Sequence, residues 1–272
     1  FHGTIVFACF DGEEQGLFGS GHYAQTLRAQ NAKVLANLNN DIMGSSIGPY
    51  GERAPFTVRI FSQALPDDAQ VRTVNLVGSE NDSPSRELAR FVKSVGEQYV
   101  PGMDGELIYR ADRFLRGGDE ESFTAQGYPA MRFVEKFENY NHQHQNVRVQ
   151  GAVQYGDLMQ YVDFDYVARV TQMNIAALAA LALGPEQPSQ VQMLTKQLGY
   201  TTTLRWQPAL HASAYEIVWR ETTSPVWQHA KNVGNVTEAT LPVSKDDYIL
   251  AVRAVDSTGL RSPAVYPVAV RE

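Results

Sequence analysis

The sequence is poor in three features that would each point to a particular class of protein. It has one cysteine, Cys9, so no disulfide can form within the chain. Its richest apolar run, residues 175–183, is about half of the roughly 18 to 20 residues that a membrane-spanning helix needs. With 23 basic against 30 acidic residues the net charge is −7, so the chain lacks the basic footprint of a nucleic-acid binder. We therefore expect no membrane span and no nucleic-acid partner.

What remains is the composition of a soluble globular protein. The 272 residues are 43% hydrophobic and 19% charged, which is enough apolar material for one large or two ordinary domains. The chain starts at Phe1 rather than at methionine, inside a run that already reads as a strand. We therefore expect it to be an internal portion of a longer protein, with any signal peptide lying upstream.

Residues 1–184 have the alternating pattern of an α/β domain. Short apolar runs typical of buried strands occupy residues 5–10, 34–38, 58–61 and 131–134. Helical spacing of apolar residues predicts one helix over residues 84–99, opened by Ser83 as its N-cap, and another over residues 164–183. The pattern therefore predicts an α/β fold with a mostly parallel sheet and flanking helices.

A second domain is expected from residue 189 to residue 272. The segment 184–189, GPEQPS, has the composition of a linker, and behind it the hydrophobic period changes to two. Five short strands follow, at residues 191–193, 203–206, 215–219, 238–241 and 248–255. Short strands separated by turn residues predict a small all-β sandwich without a helix.

Two adjacent carboxylates, Glu13 and Glu14, follow the first predicted strand directly. The carboxyl end of a parallel strand is where α/β sheets place ligand sites. Flanking Gly12 and Gly16 allow a close backbone approach, so one carboxylate could bind a metal while its neighbour stays free as a base. The alternative is structural: both acids could simply favour the positive end of a following helix.

Asp41 and His142 are the other candidates for a metal site. Asp41 repeats the order of strand, acid and glycine at the end of the second predicted strand, although a turn or helix cap is the alternative. His142 and His144 are the two histidines that lie close together in the sequence, in a polar loop that could equally be exposed. The remaining histidines near helices or in the sandwich, His22, His211 and His229, are interpreted as surface residues.

Imidazole nitrogen and carboxylate oxygen are ligands that zinc accepts, and a hydrolytic zinc site acidifies a water molecule. Glu14, Asp41 and His142 meet that description. Glu13 would then act as general base and afterwards as general acid toward the leaving amine. The residues alone thus predict metal-assisted hydrolysis.

Three segments together resemble the co-catalytic zinc aminopeptidases of peptidase family M28. Residues 10–20, FDGEEQGLFGS, are similar to the family's Glu-Glu segment, and residues 39–44, NNDIMG, to the segment with a ligand of the other zinc. Residues 116–130, RGGDEESFTAQGYPA, resemble the loop and helix that border the active site. Asn141-His142 resembles the last ligand, and the likeness covers about residues 1–183.

The resemblance implies a zinc exopeptidase-like fold and a role for each matched residue. Glu13 would be the catalytic base, Glu14, Asp41 and His142 the metal ligands, with His144 as second choice for the last, and Arg116 would contact substrate. Two zinc ions are implied for the full-length protein, and the substrates would be peptides. Glu120 stands where many members have His, and Asn146 stands where Asp is common.

The family places a histidine and a metal-bridging aspartate upstream of the Glu-Glu segment, and this chain does not include that region. The resemblance therefore implies an N-terminally truncated peptidase domain over residues 1–184. We expect weak zinc binding and little turnover from this polypeptide by itself.

The predicted sandwich resembles a fibronectin type III module. The likeness rests on its length, on Trp206 in an early strand, on Tyr248 at the start of a long late strand and on residues 256–263 as the last hairpin. Such modules accompany exported enzymes, so the resemblance implies a secreted or periplasmic protein.

The leading hypothesis is thus an exported zinc aminopeptidase with an appended sandwich. Two alternatives stay open: an M28-like carboxypeptidase or glutaminyl cyclase, and a catalytically inactive M28-like domain used for binding. Arg110, Arg113 and Arg116 form the densest basic group that could receive a free carboxylate. The sequence does not predict an oligomeric state.

Overall fold

The computed structural model describes residues 1–64, 74 and 77–272. Contacts divide the chain into two compact units. The first unit consists of Phe7–Ala177, and the second combines Phe1–Val6 with Leu178–Glu272. The last helix of the α/β region thus contributes to both units, and the first six residues belong with the sandwich.

The first unit contains a four-stranded mixed sheet. Its strands are β1 (Asn37–Asn40), β2 (Thr57–Phe61), β3 (Asp104–Ile108) and β4 (Ala130–Glu135). They lie in the order β1-β4-β2-β3, with β1 parallel to β4, β2 parallel to β3, and β2 antiparallel to β4. All six residues of β4 are buried. A separate exposed hairpin pairs β5 (Arg148–Gln150) with β6 (Val153–Tyr155).

Four α-helices with both ends among the described residues accompany this sheet: α1 (Phe18–Ala29), α2 (Pro84–Tyr99), α3 (Glu120–Thr124) and α4 (Phe164–Leu183). The bounds of α2 and α4 coincide with the predicted ones. The Ser83 hydroxyl accepts a hydrogen bond from the Arg86 backbone N–H at 3.1 Å, which confirms it as the N-cap of α2. Leu88 and Val92 bury the apolar face of that helix.

One helix of the described residues, α4, is long and apolar enough to cross a membrane by length and composition alone. Its Tyr166, Val170 and Met173 side chains are fully buried within the first unit. Phe164 and Ile175 of the same helix are 63% and 60% exposed, so one face of α4 is buried and the other is not.

The prediction of a buried strand at residues 5–10 is wrong. That segment has no strand, and Phe7 is 88% exposed and Val6 61% exposed. A strand needs a hydrogen-bonding neighbour, and among the described residues no strand pairs with this segment. The run predicted at residues 34–38 is also shifted, because the strand there, β1, begins at Asn37 and ends at Asn40.

The second unit is a β-sandwich, as predicted, and it has seven strands. Their bounds are β7 Ser189–Leu194, β8 Thr202–Gln207, β9 Ala214–Glu221, β10 His229–Gly234, β11 Glu238–Leu241, β12 Tyr248–Val255 and β13 Val268–Val270. One sheet has the order β10-β9-β12 and the other β11-β8-β7-β13. Trp206 and Leu204 from one sheet share a core with Tyr215 and Ile217 from the other. The strands β10 and β13 were not predicted, and both are largely exposed.

Candidate active site

The carboxyl end of β1 carries Asp41, and the neighbouring strand holds its side chain. The Nη2 group of Arg132, on β4, donates a hydrogen bond to Asp41 Oδ2. Arg132 is 1% exposed and also donates from Nη1 to Asp112 Oδ2 at 2.7 Å and to the Gly117 carbonyl at 2.5 Å. Asp41 is therefore a strand-end carboxylate tied to a buried guanidinium rather than a turn cap.

Glu13 and Glu14 lie in a tight turn that precedes α1. The Glu13 carbonyl accepts hydrogen bonds from the backbone N–H groups of Gly16 and Leu17, at 3.0 and 2.9 Å. The first turn of α1 contains no acidic residue, so stabilisation of a helix N-terminus does not explain the pair.

The Glu13 carboxyl senses the other charges of the site. Burial raises the pKa of Glu13, and the negative charges of Glu14, Asp41 and Asp119 raise it further, while Arg132 lowers it. The fold thus brings Glu13 into the electrostatic field of Asp41, which is 28 positions away in the chain. A carboxyl with a raised pKa is suited to general acid–base work near neutral pH.

The loop that contains His142 and His144 places His144, the second-choice ligand, beside Glu14. His144 Nδ1 lies 3.4 Å from Glu14 Oε1, and both side chains are more than half exposed. His142 instead stacks on the Tyr161 ring, with centroids 3.6 Å apart. Burial lowers the pKa of His142, which favours the neutral imidazole that binds metals.

Carboxylates and imidazoles are the right donor types for zinc. Asp119 adds a buried carboxylate oxygen, Oδ1, that has no hydrogen-bond partner. However, within residues 1–64, 74 and 77–272 no three His, Cys, Asp or Glu side chains are grouped so that they could hold a metal ion. The structure places His144 beside Glu14, and Asp41 raises the pKa of Glu13 through its charge. The ligand set Glu14, Asp41 and His142 stays a prediction.

Arg116 and Arg113 both form ion pairs with Glu138, but only Arg116 is accessible. The Arg113 side chain is 7% exposed and pairs with Glu138 at 2.7 Å and with Asp112 at 3.1 Å. Arg116 is 30% exposed, pairs with Glu138 at 3.3 Å and lies over the Tyr140 ring. Arg116 thus keeps N–H donors available for a substrate, whereas the charge of Arg113 is matched inside the protein.

The glycines of the 116–130 segment have a steric role. A Cβ atom on Gly118 would collide with the Arg132 guanidinium and would lie 2.6 Å from Glu120 Oε2. Glycine therefore lets the loop close over the Arg132 side chain. Sequence reasoning missed Arg132, Asp112 and Asp119, and the adjacent glycines before Asp119 were the one signal that something lies close to this backbone.

Glu120 is a buried acid whose side chain is held by the end of β1. It is 3% exposed, and its Oε2 accepts a hydrogen bond from Asn39 Nδ2 at 2.6 Å. Burial raises the pKa of Glu120 to about 7. At neutral pH this carboxyl therefore exchanges between its neutral and charged forms.

We expect Glu120→Gln to flatten the dependence of stability on pH. Because the folded pKa lies above the ordinary value of 4.5, Glu120 favours the folded state below pH 4.5 and loses that contribution as pH rises through about 7. Between pH 4.5 and 8, the contribution of Glu120 to the free energy of unfolding of the wild type should fall by roughly 2 to 3 kcal/mol. The variant should lack this fall. Urea denaturation across that range measures it.

The control is Glu80→Gln, at an exposed position, which should leave the pH dependence as it is in the wild type. Part of the dependence should remain in Glu120→Gln, since burial raises the pKa of Glu135 to about 7 as well. An unchanged slope in Glu120→Gln would contradict the prediction.

Comparison with known proteins identifies the first unit. A sequence model of peptidase family M28 matches residues 1–148, which is more than half of the chain. The chain belongs to peptidase family M28. The M28 match includes the Glu13-Glu14 turn, Asp41 and His142, so the resemblance predicted from these segments is confirmed at the level of the family.

A curated relative is similar over nearly the whole chain, and two solved structures are similar to parts of it. A probable zinc metalloprotease of Leptosphaeria maculans is 47% identical over 269 residues, covering 97% of this chain and 62% of the relative. An aminopeptidase from Aneurinibacillus sp. strain AM-1 covers 62% of this chain and 31% of its own, with 16% identity and a TM-score of 0.37. A fibronectin type III-like protein from Clostridium thermocellum covers 32% of this chain and 94% of its own, with 20% identity and a TM-score of 0.28.

The M28 chain thus spans less than two thirds of the length of this curated relative. Two other probable zinc metalloproteases, from Pyrenophora teres and Pyricularia oryzae, are covered over 56% and 55% of their lengths. The chain therefore represents only part of the length of these relatives.

Proposed function

We propose that the whole protein is a zinc-dependent aminopeptidase that removes N-terminal residues from peptides. The observation that carries this proposal is the environment of Glu13, a partly buried carboxyl whose pKa is raised by burial and by the charges of Glu14, Asp41 and Asp119, in a family M28 domain. Glu14, Asp41 and His142 would hold zinc, together with ligands from the region upstream. Bound zinc would polarise the scissile carbonyl and acidify water.

The chain's own residues would move the proton. Glu13 accepts a proton from the attacking water and then delivers it to the departing amine, and its raised pKa brings it closer to the working pH. Arg132 keeps Asp41 in one orientation by occupying its Oδ2 atom. Arg116, with its partly exposed guanidinium beside Tyr140, would orient the substrate.

The pairing of the loop arginines favours an aminopeptidase over a carboxypeptidase. A carboxypeptidase must bind a free carboxylate, for which a cluster of accessible cations is the usual solution. Of the arginines considered for that role, Arg113 is buried in two ion pairs and Arg116 shares Glu138 with it.

We also propose that the protein is secreted or periplasmic, a view that rests on the resemblance of the sandwich alone.

The test uses the full-length protein, including the region upstream of Phe1. Metal content per chain is measured for the wild type, Glu14→Ala, His142→Ala and His144→Ala, with the exposed His22→Ala as the matched control. We expect about two zinc ions in the wild type and the control. Loss of zinc should follow Glu14→Ala and His142→Ala, and loss in His144→Ala instead of His142→Ala would reassign the last ligand.

Substrates then separate the alternatives. Leucine anilide should be hydrolysed, and leucine anilide with a blocked amino group should not. Cleavage of N-blocked peptides from their carboxyl end would favour the carboxypeptidase, and cyclisation of N-terminal glutamine would favour the glutaminyl cyclase. A full-length protein without zinc or hydrolysis would be the inactive binding domain.

A further inference from the structure

The sandwich contains a triplet whose chemistry the peptidase function does not use. Asn235-Val236-Thr237 fits the pattern Asn-x-Ser/Thr, with x other than proline, that accepts N-linked oligosaccharides in exported proteins. One other triplet in the sequence, Asn81-Asp82-Ser83, fits the same pattern. In the structure the two triplets differ in exposure and in the hydrogen bonds of their side chains.

Asn235 lies at the exposed turn between β10 and β11. Residues 235–238 are all exposed, and Gly234, just before them, has a φ of 77° that turns the chain. The backbone carbonyl of Thr237 accepts a hydrogen bond from the Trp206 N–H at 2.9 Å, which anchors the turn to β8. Within the described part of the chain, the side chains of Asn235 and Thr237 make no hydrogen bond. The acceptor amide and its hydroxyl partner are thus both accessible.

Asn81 is in the opposite situation. Its Oδ1 accepts a hydrogen bond from Arg86 Nη1, so the amide is already engaged. Ser83 is 3% exposed, and its hydroxyl donates to the Gln63 carbonyl at 2.6 Å while capping α2. Pro84 follows directly. Ser83, the hydroxyl position of this triplet, is thus buried and engaged, whereas Thr237 is exposed, so of the two triplets the structure favours a glycan at Asn235.

The position of Asn235 also suggests what a glycan would do. β10 is an edge strand of the three-stranded sheet and β11 is an edge strand of the four-stranded sheet. The turn at Asn235 joins these two edges. Exposed strand edges are templates for pairing with other chains, and proteins protect them by charge, by bulges or by covering them. A bulky, hydrated glycan at this turn would shield both edges together.

We propose that Asn235 is an N-glycosylation site that protects these two sheet edges. The Asn235 side-chain nitrogen forms a bond to C1 of an oligosaccharide carried on a polyprenyl diphosphate. The bond from C1 to the diphosphate oxygen breaks, the diphosphate leaves with the electron pair, and a base takes the amide proton. The proposal rests on the proposed export of the protein and is independent of its peptidase activity.

The test expresses the full-length protein in yeast behind a secretion leader, and recovers it from both the medium and the cells. Wild type, Asn235→Gln and Asn81→Gln are compared, with Thr237→Ala and Thr237→Ser as a matched pair that removes or keeps the acceptor pattern. Each protein is treated with a glycan-removing amidase. The tryptic peptide of residues 232–245 is weighed by mass spectrometry before and after this treatment.

Amidase treatment should lower the mass of the 232–245 peptide from the wild type, Asn81→Gln and Thr237→Ser, and leave that peptide unchanged in Asn235→Gln and Thr237→Ala. Asn235→Gln should also form more soluble aggregate in size-exclusion chromatography than the wild type. Recovery of the untreated wild-type 232–245 peptide without a glycan would overturn the proposal, as would an amidase-sensitive glycan on that peptide in Asn235→Gln. Leucine-anilide hydrolysis by the same preparations reports separately on the proposed function.

Discussion

Replacing Arg132 with methionine is expected to lower the free energy of unfolding by about 3 kcal/mol, because it removes one partner of a buried ion pair. The guanidinium is 1% exposed and lies between Asp41 and the fully buried side chain of Asp112. Its loss leaves Asp112 with Arg113 as its remaining cation and deprives the Gly117 carbonyl of a donor. Gly117 is half-buried, so its carbonyl without that donor adds part of a desolvation cost.

Urea denaturation of wild type, Arg132→Met, Arg132→Lys and Arg116→Met measures this effect. Arg116→Met is the matched control, since Arg116 belongs to the same network through Glu138 but is 30% exposed. It should cost less than about 1 kcal/mol, as exposed pairs do. Arg132→Lys should fall between the two, because an ammonium keeps the charge but loses the planar fork. Equal midpoints for Arg132→Met and Arg116→Met would refute the prediction.

The second large effect is expected from Glu13→Gln in the full-length protein, whose turnover of leucine anilide should drop by roughly 100-fold or more. Glutamine keeps the shape of the side chain but cannot accept the proton from water. Zinc content should stay at the wild-type level, because the neighbouring Glu14 is the residue expected to bind the metal. Glu14→Gln, the matched variant one position away, should lose zinc and turnover together.

The pH profile gives Glu13 a second, independent readout. A base is inactive when protonated, so the rate falls as pH drops through its pKa. Because burial and the neighbouring carboxylates raise the pKa of Glu13, the acidic fall in kcat/KM should begin above the pH range of an ordinary glutamate. Glu13→Gln should abolish that fall in its residual activity. A residual profile that matches the wild type would show that another group is the base.

The buried arginine network explains why these predictions are separable. Arg132 and Asp41 form one end of it, and Arg113, Glu138 and Arg59 continue it toward β2. Glu138 is buried and accepts from Arg59 at 2.6 Å. The network holds the strand ends in place whether or not hydrolysis occurs. Replacing Arg132 should therefore lower the free energy of unfolding, whereas replacing Glu13 should lower turnover.

Local patterns in the sequence determined much of the secondary structure. The helix bounds 84–99 and 164–183 follow from a Ser N-cap, a Gly-Pro stop and apolar residues at helical spacing, all within one stretch of chain. The five predicted sandwich strands follow from alternation, and the M28 segments followed from their order and spacing. These features need no knowledge of distant residues, so they could be read from the sequence.

The tertiary structure decided which of these residues meet. An apolar run at residues 5–10 is compatible with a buried strand, but burial depends on a neighbouring strand elsewhere, and Phe7 is left exposed. The sequence equally could not show that Arg132 would bind Asp41, or that His144 rather than His142 would lie beside Glu14. These contacts depend on how distant segments pack, and the pKa values of Glu13 and Glu120 depend on the burial and charges that this packing creates.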